Sequence, residues 1–254
     1  MELLSGKSAI VTGAARGIGR AIAEEFVRQG ANVLLLDLDE ETGTRAAASL
    51  SAGLPGRALF LKVDVARETE VDLAFEHAAA EFGHVDILVN NAAVLLAHEV
   101  KDFPLSEWKR VFDVNVNGPF LCARAAVNHM IPRGIKGVIL NVASASSRKA
   151  DAKHAAYSAS KAAVIAFARV LALEVGHHGI RVNCLLPGAT QTEMLEDVFS
   201  RVPGLREDII RKTVLNKLGQ PKDQANAAVF LCSDMASHVT GEYLIVSGGE
   251  FFNP

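Results

Sequence analysis

Short apolar runs alternate with longer amphipathic stretches along nearly the whole 254-residue sequence, and no other feature limits its possible folds so sharply. The apolar runs predict strands at Ser8–Thr12, Asn32–Leu36, Arg57–Val63, Ile87–Val89, Gly137–Val142, Arg181–Leu186 and Tyr243–Val246. The amphipathic stretches predict helices near Ile18–Gln29, Glu40–Ser51, Glu68–Phe82, Ser106–Met130, Ala155–Val175 and Lys222–Ser233. Strands this short and apolar are expected to be buried on both faces. Their alternation with helices predicts right-handed β-α-β crossovers. The expected class is α/β, with one doubly wound parallel sheet of seven strands and helices on both faces.

Composition agrees with a packed core. Half of the residues are apolar and the mean hydropathy is +0.21, which excludes intrinsic disorder. A formal net charge of −3 and a pI of about 6.2 give no electrostatic basis for binding nucleic acid or an anionic membrane. No apolar run reaches the roughly 18 residues of a membrane span. The first residues, Met1 to Lys7, lack the basic start and apolar stretch of a signal peptide, so a cytoplasmic location is expected. Cys122, Cys184 and Cys232 are odd in number and lie in apolar surroundings, which predicts buried thiols and no disulfide framework. The eight histidines show no metal-ligand spacing, and His177 and His178, being adjacent, are expected to point to different sides of a helix. With no linker or repeat, residues 1–254 are read as a single domain. Gly188–Leu205 breaks the rhythm, and residues 188–216 are read as a loop or lid over the substrate.

The first strand runs into Thr12-Gly13-Ala14-Ala15-Arg16-Gly17-Ile18-Gly19 and then at once into a helix. Gly13 would allow the tight turn, Gly17 a close approach of backbone N–H groups to a pyrophosphate, and Gly19 close helix packing. The helix N-terminus would face the phosphates with its positive end. Glycines alone also make ordinary turns; the strand-turn-helix context is what points to a dinucleotide site. The second strand ends at Asp37, about 20 residues on, where a carboxylate accepts from the adenosine ribose hydroxyls. It would repel a 2′-phosphate, as would Asp39 nearby, so NAD is favoured over NADP. Arg16 is the counterweight, since it could reach such a phosphate or stay solvated.

Tyr157 and Lys161 stand at i and i+4 on one helix face. An ammonium beside a tyrosine is expected to lower its pKa from about 10 and ready it as a base. With the glycine turn, Asp64-Val65, Asn90-Asn91-Ala92, Asn115, Ser144, Pro187-Gly188 and Thr192, in this order and at these spacings, the chain resembles the short-chain dehydrogenase/reductase family over nearly its whole length.

The resemblance implies a Rossmann-type fold, a nicotinamide dinucleotide cofactor and hydride transfer between a secondary alcohol and its ketone. Tyr157 is similar to the family's general acid/base. Lys161 would lower its pKa and hold the nicotinamide ribose. Ser144 would position the substrate oxygen, and Asn115 would hold a water in a proton relay. Asp64 would bond the adenine and Asn91 would sit under the adenosine ribose. Ile18, Val65 and Ala92 would be further cofactor contacts, with Val142 near the nicotinamide. Pro187, Gly188 and Thr192 would fix the carboxamide face. Thr12 would tie the first strand to the fourth, and Gly118-Pro119 fits a distorted helix.

Two departures from the family pattern stand out. Ala93 replaces a usual glycine, which costs about 1 kcal/mol if that turn needs positive φ. The segment between Ser144 and Tyr157 carries Arg148, Lys149 and Lys153, which either meet an anionic substrate group or are solvated. His98, Glu99 and Glu193 are pocket-edge candidates by position alone.

The expected activity is an NAD-linked oxidoreductase acting on a polyol, sugar or hydroxy acid. The competing readings are an NADPH-linked 3-oxoacyl-thioester reductase, and a dinucleotide-binding regulatory protein without catalysis. Relatives pair through the helices holding Asn115 and Tyr157, which implies a homotetramer or homodimer. The apolar Ala162–Ala168 run and the terminal Phe251 and Phe252 would suit such interfaces.

Overall fold

The computed structural model describes residues 2–51, 53–149 and 151–250. Phe251 and Phe252 lie outside the described residues. Seven strands form one parallel sheet in the order β3-β2-β1-β4-β5-β6-β7. They are β1 (Ser8–Thr12), β2 (Asn32–Asp37), β3 (Ala58–Lys62), β4 (Ile87–Asn90), β5 (Val138–Val142), β6 (Arg181–Pro187) and β7 (Tyr243–Val246).

The side-chain alternation of the strands divides the core in two. Ala9, Val11, Val33 and Leu35 point to the face covered by α1 (Gly17–Arg28), α2 (Glu40–Leu50) and α9 (Pro221–Cys232). Ile10, Leu34 and Leu36 point to the other face, under α3 (Glu68–Phe82), α5 (Gly118–Met130) and α6 (Ala155–Val175). Apolar residues are needed on both sides of each central strand, and β1 and β5 are buried throughout. The edge strands β3 and β7 are only partly buried, because each has a neighbour on one side alone.

The predicted helix over Ser106–Met130 is broken. It is α4 (Leu105–Phe112), then a wider π turn over Asp113–Asn117, then α5. Pro119 has no N–H to give a regular ladder, and the extra residue per turn absorbs the gap. The stretch read as a loop also differs: residues 188–216 hold α7 (Glu193–Arg201) and α8 (Leu205–Lys212). Neither helix contains a fully buried residue, which is why no core-type apolar pattern announced them.

The three thiols are buried and free. Burial pushes each up to about 12, so they behave as small apolar side chains. His177 and His178 do not diverge. They share a tight 3-10 turn, and their rings lie 3.9 Å apart. Among the described residues no group of three or more His, Cys, Asp or Glu side chains could hold a metal ion, and no helix is long and apolar enough to cross a membrane.

Strand order reverses between β1 and β4, and a crevice opens at their C-terminal ends. That crevice carries the candidate site.

Candidate active site

The turn after β1 is fixed from below by two side chains. Thr12 Oγ1 donates to the Val89 carbonyl at 3.4 Å and accepts from the N–H groups of Asn91 and Ala92, both at 3.0 Å. This ties β1 to β4. The Asn91 amide donates to the carbonyls of Thr12 and Gly13, each at 2.9 Å. Asn91 therefore braces the glycine turn, so its NH2 group is committed to backbone. Ala93 is not among the positive-φ residues, so this turn takes alanine without strain.

Gly13 and Gly17 both have left-handed φ, at 61° and 59°, where a side chain would be strained. A Cβ on Gly19 would lie 2.2 Å from the Gly13 carbonyl oxygen, so only glycine lets α1 start this close to the turn. α1 begins without a side-chain cap and has no acid in its first turn. By contrast, Asp39 caps α2 and Thr192 caps α7. The bare N–H groups of α1, beside an open glycine cradle, fit the pyrophosphate of a dinucleotide.

Asp37 ends β2 beside the glycine turn. Its carboxylate accepts from the N–H groups of Ala15 at 3.0 Å and Asp39 at 3.1 Å. Arg16 does not stand free in solvent. Its guanidinium is paired with Asp39 and with Glu193 at 3.1 Å. Asp64 accepts from the Ala66 N–H at 3.0 Å and faces Arg67 at 3.6 Å.

One cleft of about 1000 Å³ collects nearly every site residue expected from sequence. Gly13, Arg16, Gly17, Ile18, Asp37, Asp64, Val65, Asn91 and Ala92 line one end. Val142, Ser144, Tyr157, Lys161, Pro187, Gly188 and Thr192 line the other. Gly19 and Asn115 stand behind the walls. His98 and Glu99 do not line the cleft: His98 Nε2 is 2.7 Å from Glu107 Oε2, and its ring meets Phe103 edge-on at 4.9 Å. Glu193 misses the cleft too, but holds Arg16. Of the cations after Ser144, Lys149 lines the cleft 3.7 Å from Asp151. Arg148 turns away to the Tyr243 ring, 5.1 Å from its centroid, and Lys153 is not part of the wall.

Ser144 follows β5 in extended backbone, and its hydroxyl oxygen accepts from the Ser146 N–H at 3.1 Å. That leaves its proton free to donate into the cleft, which the Tyr157 side chain also lines. Burial raises the Tyr157 pKa above its ordinary 10, and the Ser144 hydroxyl draws it part of the way back. The expected lowering by Lys161 is not what the geometry gives. The ammonium lies 5.7 Å from the ring centroid and donates to the Val142 carbonyl at 2.8 Å. Burial also weakens that charge, taking Lys161 down to about 8.

The wide turn explains Asn115. It turns the side chain inward, fully buried, where Oδ1 accepts from the Val94 N–H at 2.8 Å. Nδ2 donates to the Val94 carbonyl at 2.9 Å and to Ser160 Oγ at 3.1 Å. Ser160 Oγ in turn donates to the Tyr157 carbonyl at 2.7 Å. The Asn115 side chain thus joins the loop after β4 to Ser160 in the second turn of α6, and its polar atoms are occupied by protein. Ser160 was not foreseen; its spacing of three from Tyr157 on one helix was the available signal. Asn90 stood in the quoted motif, but its partner Asn141 was missed. They pair across β4 and β5 at 3.0 Å, and only strand register reveals it.

The chain is similar to known proteins along nearly its whole length. Residues 13–250 match a family model described as enoyl-(acyl carrier protein) reductase. A 2,5-dichloro-2,5-cyclohexadiene-1,4-diol dehydrogenase of Sphingobium indicum is 40% identical over 250 residues, covering 98% of each chain. An NAD-dependent glycerol dehydrogenase of Listeria innocua is 38% identical, covering 97% of this chain and 94% of its own. The crystal structure of a proposed gluconate dehydrogenase from Agrobacterium tumefaciens superposes with a TM-score of 0.92 at 32% identity, covering 99% of this chain and 98% of the other. Glycine cradle, Ser144, Tyr157 and Lys161 occur together on this sheet, and the likeness runs end to end: the chain belongs to the short-chain dehydrogenase/reductase family.

Proposed function

We propose that this protein is an NAD-dependent oxidoreductase that interconverts a secondary alcohol and its ketone. The observation that carries the reading is the meeting of Ser144 and Tyr157 in the cleft, with Lys161 anchored beside them on the Val142 carbonyl. When bound, a nicotinamide dinucleotide supplies acceptance and donation of hydride at its ring. The chain's residues do the rest. Gly13, Gly17 and the bare start of α1 hold the pyrophosphate, and Asp37 takes the adenosine ribose. Asp64, Asn91, Val65 and Ala92 shape the adenosine end. Pro187, Gly188 and Thr192 hold the nicotinamide end, and residues 188–216 act as the substrate lid within a single domain.

In alcohol oxidation the Tyr157 phenolate takes the hydroxyl proton as the carbon gives up hydride. In ketone reduction the phenol returns it. Ser144 and Tyr157 together stabilise negative charge on the substrate oxygen, and the raised Tyr157 pKa keeps the phenol protonated for the reductive direction. Asn115 and Ser160 hold the start of α6 so that Tyr157 stays aimed, and a water relay would use backbone oxygens there.

NAD is favoured because Asp37 stands where a 2′-phosphate would go and because Arg16 is committed to Asp39 and Glu193. The NADPH-linked thioester reductase reading needs Arg16 released. Assembly as a homotetramer or homodimer belongs to the same reading. It is supported by the exposed Phe120 on α5 and Val170 and Leu173 on α6. So does a cytoplasmic location.

The test follows reduced nicotinamide by absorbance, with NAD and NADP in parallel, over polyols, sugars, hydroxy acids and simple secondary alcohols. Turnover with NAD that Tyr157→Phe loses by about a hundredfold to ten-thousandfold is the expected result. Turnover with NADP alone, or equal turnover by the variant, overturns the reading.

A further inference from the structure

His98 and Lys153 both lie outside the cleft, yet a hydrogen bond joins them. The His98 N–H donates to the Lys153 carbonyl at 3.0 Å. This fastens the loop after β4 to the last residues before α6. The same loop is fastened to α6 a second time, because Val94 is held through Asn115 to Ser160. Leu95 lies between the two fastenings, and Val94 and Leu95 both line the cleft.

The His98 joint hangs from α4. His98 Nε2 meets Glu107 Oε2 at 2.7 Å. The His98 ring lies edge-on to Phe103 at 4.9 Å, Phe103 lies edge-on to Trp108 at 5.9 Å, and Trp108 stacks on Phe112 at 5.1 Å. A polar pair as open to solvent as His98 and Glu107 contributes little alone. The aromatic contacts add to it and fix the ring from a second side.

Lys153 is where the joint acts. Its φ is 69°, in the left-handed region that a residue with a Cβ enters only at a cost. Strain of this kind persists where the surroundings hold it. Here the His98 N–H holds the Lys153 carbonyl, and one residue on the His154 N–H donates to the Asp151 carbonyl at 3.3 Å. Ala152 and His154, on either side of the bend, line the cleft, while Lys153 is exposed outside it. His154 caps the start of α6, and its carbonyl accepts from the Ser158 N–H at 2.8 Å. It therefore stands about one helical turn before Tyr157. Its imidazole has no hydrogen bond or ion pair among the described residues, and a neutral imidazole can both donate to and accept from a substrate group.

We propose that His98 is a positioning residue for the substrate: hooked to Glu107, it holds Lys153 in its left-handed bend and so keeps Ala152 and His154 in the cleft wall beside Tyr157. This rests on the oxidoreductase reading above. His98 touches neither cofactor nor substrate, so its loss should act on substrate binding and leave cofactor binding alone.

The experiment measures KM, kcat and NAD affinity with whichever polyol, sugar, hydroxy acid or simple secondary alcohol wild type turns over fastest. His98→Ala should raise KM for that alcohol about fivefold to tenfold, with kcat and the Kd for NAD within about twofold of wild type. Glu107→Ala should do the same, and the double variant should be no worse than either, because both cut one link. Lys153→Val leaves His98 intact and should raise KM alike, since a β-branched residue resists the left-handed bend. Glycine takes that bend without strain. Lys153→Gly alone should therefore keep the wild-type KM, and added to His98→Ala it should restore most of what was lost. A wild-type KM in His98→Ala or in Lys153→Val overturns the proposal. So does a joint loss of kcat, NAD binding and thermal stability in His98→Ala that Lys153→Gly does not relieve, because that marks a residue that only holds the fold. In both cases the oxidoreductase reading stands. Absence of turnover by wild type with every alcohol overturns that reading and the proposal with it.

Discussion

The Lys161 ammonium donates to the Val142 carbonyl at 2.8 Å, from a fully enclosed position on α6 to the last residue of β5. The bond places Lys161, the one buried lysine among the described residues, where the end of β5 meets the helix that carries Tyr157. Burial sets its proton affinity, at about 8. Tyr157 is moved the other way, above 10. Ketone reduction needs both groups protonated. Tyr157 keeps its proton through the neutral range, while Lys161 gives its proton up as pH rises through about 8. Reductive kcat/KM should therefore be flat at neutral pH and fall above pH 8. A profile that stays level through pH 9 and above would refute a role for the Lys161 charge.

Cofactor choice should depend on two acids that act differently. Asp37→Ser removes the carboxylate from the ribose position and the acceptor for the Ala15 N–H. The preference for NAD over NADP should narrow by about tenfold or more, equivalent to about 1.4 kcal/mol. Glu193→Gln should act through Arg16, by loosening one of its two partners. NADP use should rise modestly while thermal stability barely moves, since the pair is exposed. Parallel kinetics with both cofactors check this; an unchanged ratio in Asp37→Ser would remove the carboxylate argument.

Gly19→Ala should abolish cofactor binding before it abolishes folding. The added Cβ would stand 2.2 Å from the Gly13 carbonyl oxygen, and backbone has to move to admit it. The movement falls in the cradle itself. Titration of NAD by fluorescence or calorimetry should show binding weakened at least about a hundredfold, some 2.7 kcal/mol. Wild-type affinity would show that the cradle tolerates the shift.

His129 should make the fold sensitive to acid. Its ring is buried, and Nε2 accepts from the Val85 N–H at 3.1 Å, which only the neutral ring can do. Burial, with Arg133 and His84 nearby, lowers its pKa below 6.5. The unfolded chain thus takes up a proton at about 6.5 that the folded chain refuses, so stability is lost as pH falls below that value. The slope is at most about 1.4 kcal/mol per pH unit for one such group. Denaturant titrations from pH 7 to pH 5 should show a shallower loss in His129→Gln than in wild type; equal slopes would count against His129.

Much of this was legible in the chain. Buried parallel strands need apolar residues on both faces, and crossovers need amphipathic helices, so the rhythm of the sequence set fold class and strand positions. The glycine turn was legible because only glycine takes the backbone of Gly13 and Gly17 and the contact of Gly19. Tyr157, Lys161 and Ser144 were legible because their order and spacing resembled a known family. What concerned residues far apart was not. Arg16 meets Glu193 across 177 positions, and nothing local to either residue marks the other. The helices α7 and α8 escaped notice because they bury no residue fully and so lack a core stripe. Asn115 was found, but its partners Val94 and Ser160 were not, since a wide turn had first to swing it inward. The direction of the Tyr157 shift was misjudged for the same reason. Spacing puts Lys161 on the same helix face, but enclosure and the Val142 carbonyl decide where its charge goes and how much of it remains. Local pattern carries propensity and periodicity; solvent exclusion and long-range pairing exist only once the chain is packed.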